Sequence, residues 1–250
     1  MSKLINLKQD AALGIVTLSN PPHNLITIDF IEQYCACLEQ AVADGARAIL
    51  IRSDLRHFCA GADVGALSAE AMDAVEILRR LESLPVPTVA ALNGAVLGGG
   101  LELALACDFI VAAESAEIGA VEVHIGLAPL LGAVSRLVSL AGPARAREMT
   151  MLGRRYKPEV LERWGIINLV VADGELESAS MSLARQLAAG PTLAIAGIKK
   201  LVNIAVNDGV DAADQAIGAA LAPMWASKDL KRGVEAMATN GPGTAVFEGD

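Results

Sequence analysis

The sequence predicts an α/β fold in which repeated strand–loop–helix units are followed by a helical C-terminal region. Three observations predict it. Short apolar runs, Ala48–Arg52, Pro87–Leu92 and Phe109–Ala113, read as buried strands separated by loops and amphipathic helices. These units recur at intervals of roughly 40–50 residues, the spacing of a repeated element. From Leu176 onward the chain reads almost wholly helical. A core over residues 1–175 and a helical oligomerisation region over 176–250 are therefore expected.

Taken in order, Ile5–Leu7 and Ile15–Leu18 form two short strands with a turn near Asp10–Gly14. Asn20-Pro21-Pro22-His23-Asn24 is a turn-rich loop. Ile28–Ala43 is a helix with Ile31, Tyr34, Cys35, Leu38 and Val42 on one side. After the strand Ala48–Arg52 comes the loop His57–Gly65, then an amphipathic helix Ser68–Leu84, with Ser68 as N-cap and Pro85 as stop. Glu117–Pro129, with Gly119, Gly126 and Pro129, reads as an irregular loop. Helices follow over Leu131–Leu140 and Ala144–Leu152, split by Gly142-Pro143, and over Pro158–Trp164 before a strand at Ile166–Val171. Four helices end the chain, with a Gly-rich, loose tail at Thr239–Asp250.

Composition bounds the function. Of 250 residues 53% are apolar but only 3% aromatic, so the core is built on Ala, Val, Leu and Ile. A net charge of −9 with no Lys/Arg cluster argues against nucleic acid as a partner. The most apolar region, Val86–Ala113, is interrupted by Asn93, Glu102 and Asp108, so no membrane span is expected. The start, MSKLINLKQD, lacks the apolar run of a signal peptide. Cys35, Cys37, Cys59 and Cys107 show no CxxC spacing and no companion His cluster. They are read as free thiols of a cytoplasmic protein, with no metal site.

The stretch Asn93–Glu102, NGAVLGGGLE, carries the chemistry. Gly98, Gly99 and Gly100 each cost conformational entropy, so they are expected to serve sharp backbone angles and close ligand approach, not packing. The helix behind them opens with free N–H groups and the positive end of its dipole, a place for a negative oxygen. A side chain at Gly99 is expected to lie against that oxygen's group. Glu102 sits in the first helical turn, where a carboxylate also simply suits the dipole. In Phe58-Cys59-Ala60-Gly61-Ala62-Asp63 the small residues leave the Ala62 N–H open as a second donor, though taken singly this is an ordinary small-residue turn.

In combination, FCAGAD, PTVAALNG, GGGLELALACD and FIVAAESAEIG, in this order, resemble the crotonase family of enoyl-CoA hydratases and isomerases. The resemblance runs from the Asn20-Pro21-Pro22 turn into the last helices. It implies a spiral of repeated ββα units, a trimer or dimer of trimers, and an acyl-CoA substrate, with no cofactor beyond the CoA that the substrate carries. It implies an oxyanion hole made by the Ala62 and Gly99 N–H groups. It places two acids at Glu102 and at Glu122, in AVEVHIG, and a substrate path along Ala60, Gly61, Asp63, Gly98 and Leu130. A Glu in a loop, taken alone, is a surface carboxylate; the matched motif favours function. His124 receives no role.

The chemistry needs this pairing. Water adds to the β-carbon of an unsaturated thioester, a proton goes to the α-carbon, and negative charge builds on the thioester oxygen. Two fixed donors hold that charge. One carboxylate activates water and the other delivers the proton. Glu102 is assigned the water and Glu122 the α-proton, with an apolar wall of Leu97, Leu101, Val121, Val123 and Leu127 raising their pKa values. An isomerase needs one acid only, and a silent acyl-CoA binder none; these are the alternatives. Two departures bear on them. Relatives read PGxGG where this chain reads Pro129-Leu130-Leu131-Gly132-Ala133, so Leu130 stands at a usual glycine. Relatives also carry Lys or Arg for the CoA phosphates where this chain has Val64-Gly65-Ala66 and Thr239-Asn240-Gly241, leaving Lys228, Lys231 and Arg232 as substitutes.

Overall fold

The computed structural model describes residues 3–65 and 73–250. Its strands are β1 (Ile5–Asp10), β2 (Leu13–Leu18), β3 (Ala48–Ser53), β4 (Thr88–Leu92), β5 (Ala95–Leu97), β6 (Phe109–Ala113), β7 (Glu117–Gly119) and β8 (Leu169–Val171). Its helices are α1 (Ile28–Ala43), α2 (Ala74–Glu82), α3 (Gly99–Leu105), α4 (Ala133–Leu152), α5 (Pro158–Arg163), α6 (Leu176–Ala188), α7 (Thr192–Asp208), α8 (Val210–Trp225) and α9 (Lys228–Asn240). The large sheet has the order β1-β2-β3-β4-β6-β8, and β5 and β7 form a small second sheet.

In the large sheet, among the described residues, β1 and β2 are the antiparallel neighbours, joined by a tight turn in the register Ile5↔Leu18 to Asp10↔Leu13. The other neighbours are parallel and need crossovers. Strands covered on both faces read as continuous apolar runs. Alternation then sorts β3 between two layers. Ile49 and Ile51 face α1, packing with Phe30, Ile31, Tyr34 and Leu38. Leu50 faces the other way, with Val89, Val111 and Ala184 and Ala188 of α6. Each fully buried Leu or Ile contributes about 1.5–3 kcal/mol.

The ββα repeat is visible in how the chain divides its strands. After β4 it enters the small sheet as β5 and turns into α3; after β6 it enters as β7 and turns into a 3₁₀ turn, Glu122–Ile125. Single bridges extend the small sheet on both sides, Cys59↔Val96 and Ile118↔Tyr156. The starts of β3, β4, β6 and β8 at residues 48, 88, 109 and 169 are unevenly spaced, so the regular interval read from the sequence is not kept.

Some local expectations change. Glu117–Pro129 holds β7 and the 3₁₀ turn; Ile118 is held between Val96 and Tyr156, a strand made by tertiary pairing and too short for periodicity to show. Ser68 lies outside the described residues. Helix α2 is capped instead by Asp73, whose carboxylate accepts the Glu76 N–H at 3.0 Å. The split expected at Gly142-Pro143 is present: α4 is two helical segments broken at Gly142, which takes φ 77° and ψ 167°. The cysteines are free, and among the described residues no His, Cys, Asp or Glu group could hold a metal. No single described helix is long and apolar enough to cross a membrane.

The tail is not loose. Asp229 is buried, and its carboxylate accepts the N–H groups of Glu248 at 2.9 Å and Gly249 at 2.8 Å and pairs with Arg232 at 2.8 Å. Arg47 binds the Phe247 carbonyl at 3.0 Å. Burial would raise the Asp229 pKa, but the two N–H groups and the guanidinium outweigh it and hold the carboxyl below its usual range. A depressed folded pKa means that the stabilisation is present above the unfolded value, about 3.9, and is lost as pH falls through the folded one. Asp229→Ala is expected to cost about 3 kcal/mol in chemical denaturation at neutral pH and to expose the last ten residues to proteolysis. Below about pH 3 the gap between variant and parent should narrow.

Candidate active site

The segment Cys59–Asp63 runs between Ile26 and β5. Ile26 N–H donates to the Gly61 carbonyl at 3.0 Å, and Asp63 N–H donates to the Ile26 carbonyl at 2.9 Å. On the other side Cys59 N–H donates to Ala95 and Leu97 N–H to Cys59. Bonding direction alternates along a strand, so the Ala62 N–H points away from Ile26, toward β5. There β5 has already ended, and the chain turns off at Gly98. Ala62 N–H is thus left without a protein acceptor among the described residues. Gly99 is the first residue of α3, where an N–H has no intrahelical partner. Ala62, Gly99, Glu102 and Glu122 line one cavity of about 590 Å³.

The three glycines act for different reasons. Gly98 takes φ 52°, ψ −122°, a conformation open to glycine alone. Gly99 and Gly100 are not strained in this way. A Cβ at 99 would stand 2.8 Å from Ile26 Cδ1, and a Cβ at 100 would stand 2.3 Å from the Cys59 carbonyl oxygen. Packing therefore explains two of the three, contrary to the expectation from entropy. A side chain at 99 would also start toward Ile26, not toward a bound thioester.

The carboxyls differ in their surroundings. Glu102 is buried, and its Oε1 accepts the N–H groups of Leu131 at 2.6 Å and Ala133 at 3.2 Å, while Oε2 takes that of Leu130 at 3.4 Å. Burial raises its pKa, the three N–H donors oppose this, and the neighbouring Glu122 adds to the rise. Glu122 is half-buried, lies against Gly98, and has one carboxyl oxygen buried with no hydrogen-bond partner. Burial pushes its pKa up as well. Burial raises both carboxyls; three main-chain N–H groups oppose the rise at Glu102, and only the residue's own N–H opposes it at Glu122.

Of the remaining expected residues, Ala60, Gly61, Gly98 and Leu130 line the cavity. Asp63 does not; its carboxylate turns back to the Gly65 N–H at 3.2 Å. Val121 and Leu127 belong to the wall, whereas Leu97 and Leu101 are buried in the core and Val123 is exposed. Lys228 and Arg232 are engaged with Asp250, Asp229 and Glu248 around the tail. The cations that line the cavity are Arg154 and Arg155, with only a dibasic pair after Gly153 to signal them in the sequence. Asn24 was also hidden in its turn. Fully buried, its amide donates to Ser53 Oγ and to the His57 and Phe58 carbonyls, fixing the entry to the donor segment.

The model of the enoyl-CoA hydratase/isomerase family matches residues 8–242. A probable enoyl-CoA hydratase of Bacillus subtilis (strain 168) is 32% identical over 209 residues, 79% of this chain and 81% of that protein. A carnitinyl-CoA dehydratase of Salmonella typhi is 42% identical over 161 residues, 62% of each chain. The solved structure of an enoyl-CoA hydratase subunit from Geobacillus kaustophilus HTA426 aligns over 100% of both chains with a TM-score of 0.92 and 34% identity. An enoyl-CoA hydratase from Bacillus anthracis aligns over 99% of this chain and 100% of its own, with a TM-score of 0.91 and 27% identity.

Leu130 is 43% exposed, so its side chain is a rim of the cavity and not a core plug. Leu130→Gly is expected to cost about 1 kcal/mol or less in thermal denaturation, well short of the about 2–5 kcal/mol of a buried leucine. The range of acyl-CoA thioesters bound, measured by calorimetry, should extend to bulkier acyl groups.

Proposed function

The chain belongs to the enoyl-CoA hydratase/isomerase family, and on that premise we propose that it adds water reversibly across the Cα=Cβ bond of a 2-enoyl-CoA. The observation that carries this reading is the unequal pair of carboxyls facing the two free N–H groups in one cavity. The thioester oxygen takes the Ala62 and Gly99 N–H groups, which stabilise the enolate as its charge grows. Glu102, anchored at Oε1 by two N–H groups, keeps room at Oε2 for water. It removes a proton as the water oxygen bonds to Cβ. Glu122 gives its proton to Cα, and the two carboxyls end with their protonation exchanged. Run backward, the same steps eliminate water from a 3-hydroxyacyl-CoA. The hydratase and dehydratase names of the relatives describe these two directions of one reaction.

The substrate brings the only CoA required, and no metal or cofactor enters the proposed steps. The exposed Ile198, Val202, Val206, Ile217 and Trp225 on α7 and α8 support assembly into a trimer or dimer of trimers. Free thiols suit a cytoplasmic setting.

Initial rates on 2-enoyl-CoA and 3-enoyl-CoA test the reading. Glu102→Gln and Glu122→Gln should each lose about 10²–10⁴-fold in hydration, and the double variant should be little worse than the poorer single. Hydration should follow a bell in pH: activity falls on the acid side as the base is protonated and on the alkaline side as the acid loses its proton. Both apparent values belong to the coupled pair and lie above the ordinary carboxylate range. Isomerisation retained in Glu102→Gln, with no hydration by the parent, would move the protein to the isomerases. CoA-ester binding without any turnover would make it a silent binder.

A further inference from the structure

Two N–H groups act as one oxyanion hole only if their separation is held, and they come from different elements. Ala62 lies on the Cys59–Asp63 segment, Gly99 at the start of α3. One residue touches both. Ile26, 1% exposed, forms the parallel bridge to Ala62 through its own N–H and carbonyl. Those two bonds turn the Ala62 N–H outward. The Ile26 side chain reaches across to α3, where Cδ1 stands 2.8 Å from the position that a Cβ on residue 99 would take. Outside α3 and among the described residues, the next atom is Ile26 Cγ1, at 3.9 Å. Gly99 also has no left-handed φ that would demand glycine. The glycine at 99 and the δ-methyl at 26 are therefore two halves of one contact.

We infer that Ile26 is the positioning residue of the oxyanion hole: its main chain aims the Ala62 donor, and its δ-methyl seats the Gly99 donor at the matching height. The inference rests on the reading of Ala62 and Gly99 as the donors. It assigns Ile26 no bond-making role. Ile26 itself lines the cavity that holds both donors.

A methyl exchange tests it. Gly99→Ala alone puts its Cβ into Ile26 Cδ1 and should cost about 10²-fold in kcat, the size of a lost donor. Ile26→Val alone removes Cδ1, leaves a gap under α3, and should cost about tenfold in kcat with KM changed by less than about twofold, because the loss falls on transition-state stabilisation. The double variant moves one carbon from 26 to 99 at constant volume. It should recover to within about tenfold of the parent, so that the second substitution repairs the first. The absorption of bound 4-(dimethylamino)cinnamoyl-CoA gives a reading independent of turnover. Its red shift measures polarisation of the thioester carbonyl, and it should shrink in each single variant and return in the double. A double variant no better than Gly99→Ala, or a Gly99→Ala as active as the parent, overturns the inference. Should Gly99→Ala fail to fold, Ile26→Val decides alone: a full red shift with an unchanged kcat refutes the positioning role. Parent protein that hydrates no 2-enoyl-CoA sinks the hydratase reading instead, while the red shift still reports on the donors.

Discussion

The structure turns on one contact between two backbones. Helix α3 begins so close to the Cys59 carbonyl that no Cβ fits at residue 100. This approach brings the orphan N–H of Gly99 beside the segment that carries Ala62. It also sets Glu102, three residues into the helix, over the same cavity. Move α3 outward by the width of a methyl group and the donors part, the carboxylate shifts, and the cavity loses its floor.

The surroundings hold this contact from several sides. Asn24 fixes the entry to the donor segment through three main-chain and side-chain acceptors. The Gly98 N–H donates to the Gly119 carbonyl at 2.9 Å, tying the glycine turn to the end of β7 just before Glu122. The Leu130–Ala133 turn clasps Glu102 from above with its own N–H groups. Each tie spends a polar main-chain group that would otherwise be costly to bury. The N–H groups of Ala62 and Gly99 are left without such a tie among the described residues.

The pair of carboxyls gains its asymmetry from the same economy of donors. Both are pushed toward the neutral form by burial, but Glu102 is offered three main-chain N–H groups and Glu122 only its own. A single residue type at two positions thus meets two surroundings, set largely by main chain elsewhere in the sequence.

The sequence by itself determined the fold class, the glycine turn, and the candidates Ala62, Gly99 and Glu102, because buried strands, amphipathic helices and small-residue turns leave periodic or compositional marks; Glu122 was marked only by the family resemblance. It also carried the family motifs that align these four. Tertiary structure decided the rest. Strand β7 is made by pairing with Val96 and Tyr156, and the Gly-rich tail is held by Arg47, Lys228, Asp229 and Arg232, contacts that local sequence does not show. The reasons for Gly99 and Gly100 lie in Ile26 and Cys59, some 70 and 40 positions earlier, so local entropy arguments misjudged them. Asp63 and Gly61 are two residues apart, yet only Gly61 lines the cavity, because the Asp63 carboxylate turns back to accept the Gly65 N–H at 3.2 Å. Composition can mark a turn or a strand; which of its N–H groups is left free is settled by the partner that takes the others.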